Sequence, residues 1–208
     1  GQRCLLASGW PVDAAASART RTFAILYVAI GARRPLRCGP VSDEFRPSAD
    51  ALVARNADFA ERRFDREVGG VPRRQLTVVT CMDCRVEVPA MLGLKPGEAH
   101  ILRNAGGLVT DDVVRSLVLS QHALNTREVM VIQHTDCGLS KFDDDEMADH
   151  IAEAVGARPP WPLGAFADVD QSVRDGVERL RSSPLLVARD HIRGFVFDVA
   201  DGTLREVT

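Results

Sequence analysis

Gln75-Leu76-Thr77-Val78-Val79-Thr80, followed at once by Cys81, is a short run rich in β-branched residues and bounded by turn formers. It reads as a buried strand. Working downstream, Ala99-His100-Ile101-Leu102 is a second strand, closed by Asn104-Ala105-Gly106-Gly107. Thr110 caps a helix that runs to about Leu124, with Asp111 and Asp112 in its first turn, where the helix dipole favours negative charge. Glu128-Val129-Met130-Val131-Ile132 is a third strand, and helices follow over Asp143 to Val155 and Val169 to Leu180. Gly194 to Val199 alternates as a late strand ahead of a tight turn at Asp201-Gly202. Upstream, Ser48 to Ala60 has helical spacing, and Gly69-Gly70-Val71-Pro72 ends that element. Strands alternating with helices imply parallel pairing and right-handed crossovers. The fold class is therefore α/β: a single domain with a mainly parallel central β-sheet flanked by helices.

A chain of 208 residues suits one full-sized domain and builds a core that needs no disulfide or metal staple. A bound metal would then serve chemistry. A net charge of -3 and an aromatic content of 5% argue against a nucleic-acid partner, which would want a basic face or stacking platforms. Residues 1–41, rich in Ala, Arg, Gly and Pro, read as a poorly ordered N-terminal extension to a functional domain over 42–208. Its apolar run Phe23 to Ile30 is far shorter than the ~20 residues that span a bilayer, so no membrane partner is expected. A membrane-surface helix around residues 19–34 is a weaker option, and Gly31-Ala32-Arg33-Arg34-Pro35 makes a poor signal-cleavage region. Five cysteines, an odd number, argue against a disulfide framework and for a reducing, cytoplasmic compartment.

Cys81 directly follows the first strand, and His134 directly follows the third. Carboxyl ends of parallel strands form the crevice where α/β sheets bind ligands, so these residues can meet if the two strands are neighbours. Cys137 shares the loop of His134 and can reach the same ion. Two thiolates and an imidazole are suitable zinc ligands. Singly, a cysteine after a strand is usually a small buried hydrophobe and a histidine a hydrogen-bonded structural residue; it is their convergence that points to metal. Cys84 keeps two other readings open. As a fourth ligand it would close the coordination shell and make the zinc structural; as half of Cys81-Met82-Asp83-Cys84 it could form a redox pair. Asp83 and Arg85, two residues apart, can pair bidentately beside such a site.

Cys81-Met82-Asp83-Cys84-Arg85, Arg103-Asn104-Ala105-Gly106-Gly107 and His134-Thr135-Asp136-Cys137-Gly138 together resemble the β-class carbonic anhydrases, in particular their short prokaryotic branch, over about residues 48–208. The resemblance implies zinc as cofactor, Cys81, His134 and Cys137 as its ligands, and Asp83 and Arg85 as a catalytic dyad. It implies reversible hydration of carbon dioxide to bicarbonate by a zinc-bound hydroxide, which Asp83 orients while Arg85 keeps Asp83 ionised. In the family's second state that aspartate itself takes the fourth zinc position. Gly106 and Gly107 allow close backbone approach beside the substrate, or form a plain turn ahead of the Thr110 cap. Asp136 reads as support for its own loop. The resemblance also implies a homodimer or higher homo-oligomer, with the helix after Ser48 as an N-terminal arm embracing the partner. Cys84 departs from the Ser or Ala usual in the family. Relatives in this branch hydrolyse carbonyl sulfide or carbon disulfide, so a hydrolase of those substrates stands as an alternative, as does a non-catalytic zinc domain with Cys84 as fourth ligand.

Overall fold

The computed structural model describes residues 47–207. The extension of residues 1–41, with its apolar run and the surface-helix option at 19–34, lies outside the described residues. Helix α1 (Ala49–Arg62) confirms the helical spacing after Ser48 and buries none of its residues; Leu52 and Val53 on it are 55% and 71% exposed. No helix among the described residues is long and apolar enough to cross a membrane.

From Asp58 on the chain forms one unit, built on five strands: β1 (Leu76–Cys81), β2 (Ala99–Asn104), β3 (Glu128–His134), β4 (Ile192–Phe197) and β5 (Leu204–Val207). Their order in the sheet is β2-β1-β3-β4-β5. The first four are mutually parallel and β5 returns antiparallel to β4. The sheet is thus mainly parallel, as the alternation of elements requires. After β1 the chain steps to one side to make β2, then crosses to β1's other flank to make β3. The carboxyl ends of β1 and β3 therefore flank the point where strand order reverses, the position at which open α/β sheets place their ligand crevice.

Strand residues alternate between two cores, because successive side chains leave opposite faces of a sheet. Val79, Val131 and Val196 pack with Val113 and Leu117 of α3 (Asp111–Leu124) and with Val173, Val177 and Leu180 of α5 (Val169–Ser182). Leu76, Val78, Ile132 and Phe195 pack on the other face with Val86 and with Val88 of α2 (Val88–Leu92). Every residue of β1 is buried, as its unbroken run of apolar and β-branched residues anticipates. Thr110 caps α3 through its side chain, which accepts from the Val113 N–H, and Asp143 caps α4 (Asp144–Val155) by accepting from the Asp145 and Glu146 N–H groups.

Two elements escaped the sequence reading. Helix α2 has only five residues, including Pro89, too few to show a period. Strand β5, Leu-Arg-Glu-Val, is half exposed and defined by its pairing with β4 across the Asp201-Gly202 turn. β3 also runs two residues past Ile132, so that His134 ends the strand instead of following it.

Candidate metal centre

The register brings the three sequence-predicted donors together. Thr80 of β1 pairs with Ile132 of β3, so Cys81 and His134 close adjacent parallel strands, and the turn after His134 returns Cys137 toward them. The Sγ atoms of Cys81 and Cys137 and a ring nitrogen of His134 all lie within 4.8 Å of one another, and all three residues are buried. Among the described residues no other group of His, Cys, Asp or Glu side chains converges in this way. Cys84 is exposed and stands outside the group, and the three described cysteines are all free thiols.

The imidazole is prepared as a ligand. Its Nδ1 lies 2.8 Å from the Thr135 carbonyl oxygen, and because a carbonyl only accepts, Nδ1 carries the proton and donates it. That leaves Nε2 with its lone pair. This atom is buried and has no hydrogen-bond partner among the described residues. A buried ring nitrogen left without a partner is costly, and metal coordination satisfies it.

Contact between the two thiols moves their pKa values in opposite directions. The hydrogen bond from Cys137, helped by His134, pulls the Cys81 pKa down to about 4 against the upward push of burial. The same contact and burial drive Cys137 up. For His134 burial is the largest influence and acts downward, but the nearby Cys81 sulfur and the Thr135 carbonyl outweigh it, and the net direction is upward. Cysteine binds a metal as thiolate, so a cation held between the three atoms would release thiol protons. Two soft sulfurs and one imidazole nitrogen fit a borderline-soft ion such as zinc.

Asp83 and Arg85 form the bidentate pair anticipated from their spacing. Arg85 Nε donates to Asp83 Oδ1 at 2.9 Å and Nη2 to Oδ2 at 2.8 Å, while the Arg85 backbone N–H also donates to Oδ1. The Arg85 guanidinium holds the Asp83 carboxyl down at about 2. Asp83 Oδ2 stands 3.7 Å from His134 Nε2, which places the ionised carboxylate at the rim of the donor group.

Gly106 and Gly107 lie in a 3₁₀ turn immediately after β2, both with left-handed backbone. A Cβ on Gly107 would fall 2.9 Å from the Cys81 nitrogen and 3.1 Å from the Ile132 oxygen, so the turn sits directly on the ends of β1 and β3. Close backbone approach is accordingly real at Gly107, and what it approaches is the Cys81 main chain.

Some contacts at the site were not anticipated from sequence. Arg103 donates through Nε to the Cys81 carbonyl at 3.0 Å and through Nη2 to the Asp83 carbonyl at 2.7 Å, tying the loop after β1 to β2. Arg85 Nη1 also reaches Asp136 Oδ2 at 3.0 Å. Thr80 Oγ1, Asn104 Oδ1 and Gln133 Oε1 are buried near the strand ends with no partner among the described residues.

Comparison with known proteins agrees with this geometry. A family model described as carbonic anhydrase matches residues 76–160. Beta-carbonic anhydrase 1 of Mycobacterium tuberculosis is 44% identical over 159 residues, which cover 76% of this chain and 97% of that protein. The chain belongs to the β-carbonic anhydrase family. A crystal structure of carbonic anhydrase from Streptococcus mutans, 37% identical, superposes with a TM-score of 0.74 over 79% of this chain and all of its own. The family's sequence neighbourhood also includes a carbon disulfide hydrolase of Saccharolobus solfataricus, 45% identical over 183 residues and covering 76% of this chain and 87% of that protein.

Proposed function

We propose that this chain catalyses the reversible hydration of carbon dioxide to bicarbonate, with zinc held by Cys81, His134 and Cys137. The observation that carries the reading is a buried group of two thiols and one imidazole nitrogen, partnerless among the described residues, beside a carboxylate paired with Arg85. When bound, zinc supplies the Lewis acidity that brings the pKa of water toward about 7, so that hydroxide is available at neutral pH.

The protein's own residues orient the reaction. Ionised Asp83 can only accept hydrogen bonds, so it would take the hydrogen of the attacking oxygen and aim that oxygen's lone pair at the substrate carbon. Arg85 fixes the direction of that carboxylate through two parallel bonds and keeps it charged. Gly107 seats the turn after β2 on the Cys81 backbone, and Gly106 and Gly107 are read as the substrate-side turn. Carbon dioxide and water leave as bicarbonate and one proton, which passes to solvent.

Hydrolysis of carbon disulfide or carbonyl sulfide is the second reading, and the hydrolase relative favours it. Against it stands the form of the alignment. Both relatives cover 76% of this chain, yet the hydrolase match runs over 183 positions and the carbonic anhydrase match over 159. The hydrolase match therefore spans more positions for the same share of this chain. A non-catalytic zinc domain closed by Cys84 is disfavoured by the exposure of that residue outside the donor group.

Residues 42–208 are read as the catalytic domain of a homodimer or higher homo-oligomer, in which a partner copy would cover the exposed Leu52 and Val53 of α1. The free thiols suit a reducing cytoplasm. Stopped-flow hydration of carbon dioxide, run beside sulfide release from carbon disulfide, tests the assignment. Rapid zinc-dependent acidification without sulfide release is expected; sulfide release with no hydration would transfer the assignment to the hydrolase.

A further inference from the structure

Asp136 lies between His134 at the end of β3 and Cys137, in the loop that joins two of the three donor residues. Its backbone is left-handed, with φ 56°, a conformation that Asp and Asn tolerate better than most residues. Both carboxylate oxygens are engaged: Oδ2 accepts from Arg85 Nη1 at 3.0 Å, and Oδ1 accepts from Lys141 Nζ. The Asp136 carbonyl also accepts from Arg85 Nη2 at 3.1 Å. The same guanidinium holds Asp83 through Nε and Nη2.

One planar group therefore joins two loops. Held by Asp83 alone, Arg85 could swing together with it as a pair. Anchored at a second point on the loop after β3, it has a fixed position relative to His134 and Cys137. The side chains of Asp136 and Arg85 are 41% and 38% exposed, and ion pairs at that exposure add little to global stability. What this network supplies is direction, because a planar fork with two occupied sides has one orientation.

We propose that Asp136, steadied by Lys141, is a positioning residue for the hydration reaction: it anchors Arg85, which aims the Asp83 carboxylate, and it braces the Cys81 loop against the His134–Cys137 loop. Its kinetic part rests on the carbon dioxide reading above; the brace does not. Lys141 is included because it occupies the Asp136 oxygen that Arg85 leaves free, so the carboxylate cannot rotate away from the guanidinium without losing a second charge partner.

The test is a double-mutant cycle on the full-length zinc protein. Asp136→Asn keeps side-chain size and tolerance of the left-handed backbone while removing the charge, and Asp136→Ala removes the side chain. Two quantities are read: kcat and KM for carbon dioxide hydration, and zinc Kd by chelator competition. Asp136→Asn is expected to lower kcat about tenfold at unchanged KM and to raise the zinc Kd about tenfold, the size of effect typical when an outer partner of a metal site is lost. In an Arg85→Ala background the same substitution is expected to change neither value further, because residues acting through one another are not additive. A merely structural role would instead lower the melting temperature and multiply with Arg85→Ala. Wild-type kcat and Kd in both Asp136 variants, or losses that multiply, would overturn the proposal. If the unmodified protein shows no hydration at all, the functional assignment fails, while the zinc arm of the cycle still decides the brace.

Discussion

Gly107→Ala is a one-methyl perturbation whose cost follows from the structure. The added Cβ would lie 2.9 Å from the Cys81 nitrogen and the Thr80 carbonyl carbon, and 3.1 Å from the Ile132 oxygen. All three are main-chain atoms of paired central strands, so no side chain can rotate aside. Gly107 also has φ 64°, where an alanine costs roughly 1–2 kcal/mol. Relieving the contact by shifting packed backbone adds about 1–3 kcal/mol. The sum is about 2–5 kcal/mol, and at roughly 2–4 °C per kcal/mol for a chain of this length the zinc-free protein should melt about 4–20 °C lower. Because the displaced atom belongs to Cys81, zinc affinity should fall with stability, which separates this site from an ordinary turn. The assay is thermal unfolding by circular dichroism with and without zinc, with Gly138→Ala as control, since nothing lies within 4 Å of a Cβ at that position. A Gly107→Ala protein that melts with the wild type and binds zinc equally well would refute the reasoning about close approach.

Two further substitutions probe the frame around the site. Ser120 Oγ lies 2.9 Å from Thr77 Oγ1, 2.7 Å from Thr126 Oγ1 and 2.8 Å from His100 Nδ1, joining β1, β2 and α3 in a buried network. Ser120→Ala should cost about 1–3 kcal/mol in urea unfolding, the penalty for stranding buried polar partners; an unchanged midpoint would argue against the network. The Arg205 guanidinium holds the Asp170 carboxyl below its ordinary value, so the ion pair's stabilisation is present above the unfolded-state pKa of about 3.9 and is lost as pH falls through the lower folded-state value. Asp170→Asn should therefore be less stable than wild type at pH 7, by no more than about 1 kcal/mol at this partly exposed pair. The difference should close below about pH 4; a gap that widened in acid would reverse the sign.

The parts of this fold carried by periodicity were legible in the sequence. The β-branched runs of β1 and β3 gave two strands, and the positions of Cys81 and His134 at their ends gave the candidate donors. Adjacency of those strands was a condition in the sequence reading, and register supplied it, since pairing partners are chosen by the whole sheet. Short elements such as α2 and β5 were invisible because context, and not propensity, holds them in place. The Asp83–Arg85 pair is local, two residues apart, and could be anticipated. The reach of Arg85 to Asp136 spans 51 residues and depends on the two loops facing each other. Arg103 belongs to a recognised motif, but its hold on the Cys81 and Asp83 carbonyls depends on β2 lying beside β1. The left-handed turn at Gly106 and Gly107 was suggested by the residue type, while the backbone it approaches emerged only with the sheet assembled.

X-ray absorption at the zinc edge of the purified, metal-loaded protein bears most directly on the donor set, because it counts sulfur neighbours. Cys81 and Cys137 with His134 give two sulfurs, one imidazole nitrogen and one further light atom in a four-coordinate shell. A third sulfur would put another cysteine on the ion, close the shell to water, and contradict the account.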